Sequence, residues 1–405
     1  MRKIISTLFV LIVVIAQTYA VVGYTVTKTT DDGTSGTLRA AIISANSFGG
    51  SYSISIQTNG TLTLTSALPV IKVPLTINCI DVAGITISGN NIYKVLEVSI
   101  TTGTVSFKNL NIVNGNGDGG GGGVYAITSA NGKVSFENCT FSGCKATGSQ
   151  AYGGAIESSA DIDLLNCTFT GNSAADGGGA IEMLDPLSVL TVNHTTIAQN
   201  STAAADIAGG IDLYLGKIAI TNSIVGNNSN GNTSLIRDIS IDNTNTNTQA
   251  SSYNLYTTAP FTGTGDLTNK TVGQLALSPL ANNGGMVQTM AISLSSLARN
   301  SGTGSLATDA RGSARDSNPD MGAYEFQTTT TTAIGLIEFD NIKVYYNSVS
   351  KIFNVVGAFN YLEVYDVTGK LLNKTNARSV QLSGNGLTIV RIYSQEGTIT
   401  RKIVL

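Results

Sequence analysis

Between Val105 and Asn228 one alternation of apolar and polar positions is written five times, at Phe107–Gly117, Phe136–Ala146, Leu164–Ala174, Asn193–Ala203 and Thr221–Asn230. Aligned on the apolar residue before the Gly/Asn turn, the copies superpose Ile112, Phe141, Phe169, Ile197 and Ile224, at steps of 29, 28, 28 and 27. A second marker runs in phase, because Val124, Ile156, Ile181 and Ile211 each follow Gly or Gly-Ala. A fixed period in the twenties, with short strands joined by glycine and asparagine corners, predicts a solenoid of β-coils, each too thin to bury its apolar face alone. The L-x-x-L-x-L skeleton of a leucine-rich repeat is missing, as is any helix-forming half of the repeat. The pattern therefore predicts an all-β fold, a right-handed single-stranded parallel β-helix with apolar residues stacked inward and Asn, Thr and Ser stacked on or near the turns.

The flanks of the repeat extend this picture. Ile54/Ile56, Leu62/Leu64, Leu75/Ile77 and Ile85/Ile87 are spaced by two, so each pair faces one side of a strand, giving early coils. Tyr24 to Thr29 alternates as a strand. Leu38, Ala41, Ile42 and Ala45 recur at helical spacing behind Ser35 or Thr37 as the cap, which predicts a helix that covers the first coil as an N-terminal lid. The polar stretch Asn232 to Ala250 reads as a protruding loop or a loosely ordered side of a coil. Residues 260 to 326 lose the period, with Asp309 and Arg311 placed for a local ion pair and Asp320 and Glu325 for fixing a final turn. After the Thr-rich segment at 327–333, residues 334–405 hold five or six alternating strands with turn signals every 8 to 12 residues, which describes a small C-terminal β-sandwich.

Composition narrows the function classes. Charged residues make up 12% of the 405, Trp is absent and Gly numbers 45, so Thr, Ser and Asn cover most of the surface. The formal net charge of -3, without a basic block, gives no footprint for nucleic acid. Arg2 and Lys3 precede an apolar run, Ile4 to Ala16, and then Thr18-Tyr19-Ala20, which together read as a secretory signal peptide over 1–20. The run is shorter than the ~20 residues of a membrane span. Residues 21–326 then form the β-helix with its caps, in a monomer that is secreted or held at the outer surface of the cell.

Four stretches carry a family resemblance: Thr25–Asn46, the NCTFSG/GGAI repeats, Ser278–Ile292, and Thr308–Glu325 with its TDARG and PDMGAYE. In this order they resemble secreted β-helix proteins of the choice-of-anchor Q domain type, which share the pectate-lyase-like architecture. The resemblance implies that the 260–326 segment closes the far end of the helix. The VYDVTGK stretch, the Gly386-to-Ile392 strand and the basic-ended strand Thr400–Leu405 resemble the C-terminal sorting domain of the type IX (Por) secretion system of Bacteroidetes. That likeness departs at Tyr345–Ser348, where the family usually carries two prolines. It implies the type IX machinery as partner, then cleavage of the domain and release, or attachment to surface lipopolysaccharide. The alternative is a permanent adhesive sandwich.

The candidate chemistry sits on the second marker. If Val124, Ile156, Ile181 and Ile211 point inward, then Tyr125, Glu157, Glu182 and Asp212 point outward and stack about one strand spacing, ~4.8 Å, apart. Carboxylates about 5 Å apart suit a retaining glycosidase, and two coils apart an inverting one. They would equally hold Ca²⁺, or form a plain solvated ladder. A polysaccharide lyase also needs a cationic base, and Lys133 and Lys145 are the nearest cations legible here, with no such pairing. Tyr125 and Tyr152 are candidates for ligand contact. Asp118, Asp176 and Asp206 precede the glycine corners and are candidates for turn caps or calcium ligands. Cys139 and Cys167 fall one coil apart at the same inward position, either as a disulfide or as a stack of reduced thiols. His194, the single histidine, replaces the repeated Asn138 and Asn166 as a turn residue. Gly115, Gly117 and Gly120 spell G-x-G-x-x-G, but no helix follows, which excludes a dinucleotide site.

Two classes of function remain. One is a non-catalytic surface protein presenting flat polar faces for adhesion or glycan contact. The other is a polysaccharide lyase or glycoside hydrolase acting on an acidic polysaccharide through Glu157, Glu182 and Asp212. Sparse cations and a single histidine favour the first.

Overall fold

The computed structural model describes residues 22–48, 51–127, 131–231, 235–241, 250–327, 342–347, 351–383, 387–394 and 397–404. The signal peptide read at 1–20 and, beyond Gln327, the Thr-rich linker lie outside the described residues. The chain divides into two compact units, Met1–Phe326 and Gln327–Leu405.

The first unit is a parallel β-solenoid built of four stacked sheets. Sheet I holds nine long strands, from Val22–Val26 to Ala250–Ser252, and sheet II eight short ones, from Gly60–Thr63 to Leu255–Tyr256. Sheet III has four strands, Asn116–Asp118 to Ser201–Thr202, and sheet IV six, Leu96–Val98 to Ile239–Ile241. One coil passes through I, II, III and IV in turn. The corner from I to II is a single residue in the left-handed region: Asn109, Asn138, Asn166, His194 and Asn222, with φ between 44° and 59°. Asparagine tolerates that conformation because its short amide bonds locally. Here the amides also bond one another from coil to coil, Asn138 Nδ2 donating to Asn109 Oδ1 at 3.1 Å and Asn166 Nδ2 to Asn138 Oδ1 at 3.2 Å.

Inside, identical residues stack. Phe141 and Phe169 lie ring on ring at 4.5 Å, Phe107 and Phe136 at 5.1 Å, with Phe136 edge-on to Phe141. A buried amide column, Asn172, Asn200 and Asn228, runs down the II-to-III corner and ends on the Asp238 carboxylate. The glycine pairs of the second marker have a steric cause. A Cβ on Gly154 would lie 2.2 Å from the carbonyl of Gly179, and one on Gly179 would lie 2.3 Å from that of Gly209.

All four cysteines are buried and free. Cys139 and Cys167 share a column as reduced thiols, Cys139 Sγ donating to the carbonyls of Phe107 and Glu137 and Cys167 Sγ to those of Phe136 and Leu165. Burial pushes the Cys144 thiol up to about 12.

The expected helix spans Leu38–Phe48, with Thr37 as its cap and Leu38, Ala41, Ile42 and Ala45 buried in the solenoid core. Three expectations are corrected. The last repeat aligns on Val225, not Ile224: Phe169, Ile197 and Val225 are register partners, so the final step is 28, and Ile224 faces outward. The polar stretch 232–250 is not all loop, because Ile239–Ile241 pairs with Ile211–Leu213 as one more rung of sheet IV.

Third, the 260–326 segment does more than end the solenoid. Leu267 still bridges to the last coil, and Leu275 packs on Leu255 and Ile224. The chain then runs back along the outside of sheet II as a strap. Thr303 meets Asn222, Ala323 meets Thr196, Thr308 meets Asn166, Gln288 meets Thr140, and Met286 meets Asn111. Under the strap the outward residues Thr140, Thr168 and Thr196 are buried. Asp309 and Arg311 pair as expected at 2.6 Å, and Glu325 accepts from the Asp320 amide and from buried Arg315.

The second unit is built from antiparallel sheets of three and four strands, between Lys343–Asn347 and Gly397–Val404. Phe353 and Val355 of one and Leu362, Val364, Val390 and Ile392 of the other share one buried cluster. Among the described residues no helix is long and apolar enough to cross a membrane.

The buried amide column yields a direct test. Asn200 accepts from the amide and side chain of Asn172 and donates to Phe169 O and Asn228 Oδ1. Asn200→Ala strands several buried groups and should lower unfolding free energy by about 3 kcal/mol in urea titration. A loss under about 0.5 kcal/mol would show that the column carries little of the stability. Denatured, unreduced protein should also take up four alkyl labels by mass spectrometry.

Candidate functional site

Sheet IV carries the candidate chemistry. Its central residues pair in register as Glu97, Tyr125, Glu157, Glu182, Asp212 and Ser240. The Tyr125–Glu157–Glu182–Asp212 stack is thus as expected, and Glu97 and Ser240 extend it at both ends. Leu96 lacks the glycine pair that flags the other rungs, so Glu97 was invisible to that marker; its signal is the Leu96/Val98 alternation.

The solvated-ladder expectation does not hold. Glu157, Glu182 and Asp212 are 4%, 2% and 6% exposed, because the glycine-rich loops fold over the outer face of sheet IV. Gly120 lies so close to Glu157 that any β-carbon there would collide with Oε2, and the Gly178 amide donates to Glu182 Oε2 at 2.6 Å. Glycine lets the backbone approach where a side chain would hold it off.

Burial sets the protonation. It raises Glu157 from its ordinary 4.5 to about 7, with Lys94 opposing the shift, and Oε2 of Glu157 has no hydrogen-bond partner. Burial, then repulsion from Asp212, drives Glu182 well above the carboxylate range. Glu182 and Asp212 hydrogen-bond to each other, which requires a shared proton, and Asp212 Oδ1 accepts from Ser240 Oγ at 2.5 Å.

The cation missing from the sequence reading is Lys94. Its Nζ sits 3.8 Å over the Tyr125 ring and 4.0 Å from Glu97, and burial lowers its pKa against the pull of Glu97 and Glu157. Lys133, the nearest cation by sequence, is spent on Asp163 at 2.5 Å on sheet I, and Lys145 lies exposed on sheet III. Tyr125 is half-buried, its hydroxyl pKa raised by burial, then by Glu157 and Glu97. Tyr152 is also half-buried, in the loop before Glu157, and its pKa is raised by burial and then by Asp176, Glu182 and Glu157.

The three loop aspartates do not converge. Asp118 pairs with Thr147 on the exposed rim of sheet III, Asp176 accepts from the Ala151 amide, and Asp206 lines a cavity near the last coil. Among the described residues no group of three or more His, Cys, Asp or Glu side chains is placed to hold a metal ion. His194 is a left-handed turn residue, as read. It is 2% exposed, Nδ1 faces Asn193 Oδ1 at 2.8 Å, and burial, then Arg315, pushes it down to about 3, so it stays neutral.

No protein-family model matches the chain, and no curated protein matches its sequence.

Proton linkage gives a test. The folded pKa of Glu157 lies above its ordinary value, so its contribution to stability is full below pH 4.5 and is lost as pH rises to about 7. Between those pH values the wild type should lose stability relative to Glu157→Gln in paired urea titrations. A difference that stays constant across the window would show that Glu157 does not hold this proton.

Proposed function

We propose that this is an exported cell-surface or secreted protein whose right-handed, single-stranded β-helix is a non-catalytic scaffold for adhesion or glycan contact. The Leu38–Phe48 helix is its N-terminal lid. The second unit is a small β-sandwich that serves as the type IX sorting address, as the resemblance of its sequence implies, with that machinery as partner. Release or attachment to surface lipopolysaccharide follows removal of the sandwich.

One observation carries the non-catalytic reading: the carboxylates best suited to glycoside chemistry are sealed under glycine loops. A general acid must come within hydrogen-bond reach of the leaving oxygen, and a nucleophile must touch the sugar. Glu182 and Asp212 instead spend their acceptors on a shared proton, the Gly178 amide and Ser240. The faces left for contact are broad and polar. On sheet I, Ser106 bonds Ser135 across coils at 2.8 Å, and Lys108 pairs with Glu137 at 2.6 Å.

The second reading, an enzyme acting on an acidic polysaccharide, is favoured by Lys94, a cation of lowered pKa beside Tyr125 and Glu157. The two part on incubation with pectin and host glycans, with and without Ca²⁺. The scaffold reading expects no new reducing ends and no unsaturated product. Cleavage that disappears in Glu182→Gln would reverse it. For the sorting reading, mass spectrometry of the mature surface protein should find its end near residue 327, and retention of Leu405 would count against it.

A further inference from the structure

The acidic column ends at Ser240, and beside Ser240 opens a cavity of about 440 Å³. That lies within the range of about 300–1,000 Å³ typical of small-ligand sites. Its described walls include Leu235 and Pro260, and its polar side chains are Asp206, Asn230, Arg237, Ser240 and Thr258. Of these, Ser240 already bonds Asp212 and the Ala208 amide, and Thr258 accepts from the Asp238 amide. We propose that this cavity binds a sugar acid, one or two rings in length. The proposal deepens the glycan-contact reading and rests on it.

Two unmet demands define the ligand. Arg237 carries a permanent charge on a five-donor fork. Its NH1 donates to the backbone carbonyl of Asp206 at 2.5 Å, and among the described residues it forms no ion pair with a carboxylate. Asn230 is 7% exposed; its Nδ2 donates to Ala205 O at 2.5 Å, while its Oδ1 is buried without a donor. The cavity thus holds a cation short of an anion and an acceptor short of a donor.

A ligand must supply both. Inorganic sulfate supplies the anion but no donor. A neutral sugar supplies hydroxyl donors but leaves the guanidinium unpaired. A nucleotide base would look for an aromatic ring to stack on, and the described wall residues include none. A sugar acid brings a carboxylate for Arg237 and hydroxyls for Asn230 Oδ1, with the exposed Asp206 carboxylate at the rim to accept from a further hydroxyl.

Calorimetric titration of the full chain tests this with methyl β-glucuronide, its neutral twin methyl β-glucoside, and inorganic sulfate. The glucuronide should bind about tenfold or more tightly than either. Arg237→Gln should erase that preference, and Asn230→Leu should weaken the glucuronide about tenfold. Arg237→Gln should keep the thermal midpoint of the wild type, and Arg237→Lys, retaining the charge, should keep part of the preference. Asn230→Leu, which also strands the Ala205 carbonyl, is titrated well below its own midpoint. Equal affinity for the glucoside, affinity unchanged in Arg237→Gln, or no heat with the glucuronide would overturn the site. If polysaccharide binding to the whole protein persists while Arg237→Gln changes nothing, the cavity is refuted and the scaffold reading stands.

Discussion

Every feature of the first unit depends on parallel coils stacking in register, so that each side chain sits over its counterpart about 4.8 Å away. A closed coil has no other way to satisfy its backbone, since the amides of one turn bond the carbonyls of the next. Like is therefore placed on like. For phenylalanine that is favourable, and the Phe141–Phe169 pair adopts a near-parallel stack at 4.5 Å. For asparagine it is favourable too, because an amide both donates and accepts and can bond copies of itself without limit. Such a column needs a terminator, and Asp238, acceptor only when ionised, closes the column of Asn172, Asn200 and Asn228.

For carboxylates the same constraint is costly. Glu157, Glu182 and Asp212 cannot all be ionised at one strand spacing beneath a cover of backbone. The molecule answers by keeping protons in the column, by the Gly178 amide and the Ser240 hydroxyl, and by Lys94 at its upper end. A column so occupied holds the loops of sheet IV against the coils. It is an internal joint, not a surface that a polymer can reach.

The strap solves a different problem. Sheet II points Thr140, Thr168, Thr196 and Ile224 outward, and the returning chain buries them. The strap is held in register at two of the asparagine corners, Asn166 and Asn222, and on the sheet II residues Asn111, Thr140 and Thr196. His194 interrupts that corner ladder, since an imidazole cannot continue amide-to-amide pairing. The Asn166 carbonyl oxygen, left without a neighbouring amide, accepts from Arg315 of the strap at 3.0 Å. Arg315 in turn holds Glu325 and the carbonyls of Asp320 and Gly322, so one substitution in the ladder provides the anchor for the segment that covers it.

What the sequence determined by itself was whatever depends on repetition along the chain. The period, the inward columns, the N-terminal helix and the register partners Glu157, Glu182 and Asp212 were legible because a solenoid turns sequence spacing directly into contact. The one-residue slip at Ile224 arose because both Ile224 and Val225 are apolar, and only the strap, which gives Ile224 something to pack on, decides between them. Contacts between segments far apart in sequence were decided by the tertiary structure alone. Lys94 reaches Tyr125 from another rung, and Arg315 reaches Asn166 across 149 positions. The glycine loops bury carboxylates that alternation could only place on the outer face. Periodicity states which way a side chain points; whether anything lies over it depends on where non-repeating chain returns, and no local pattern encodes that.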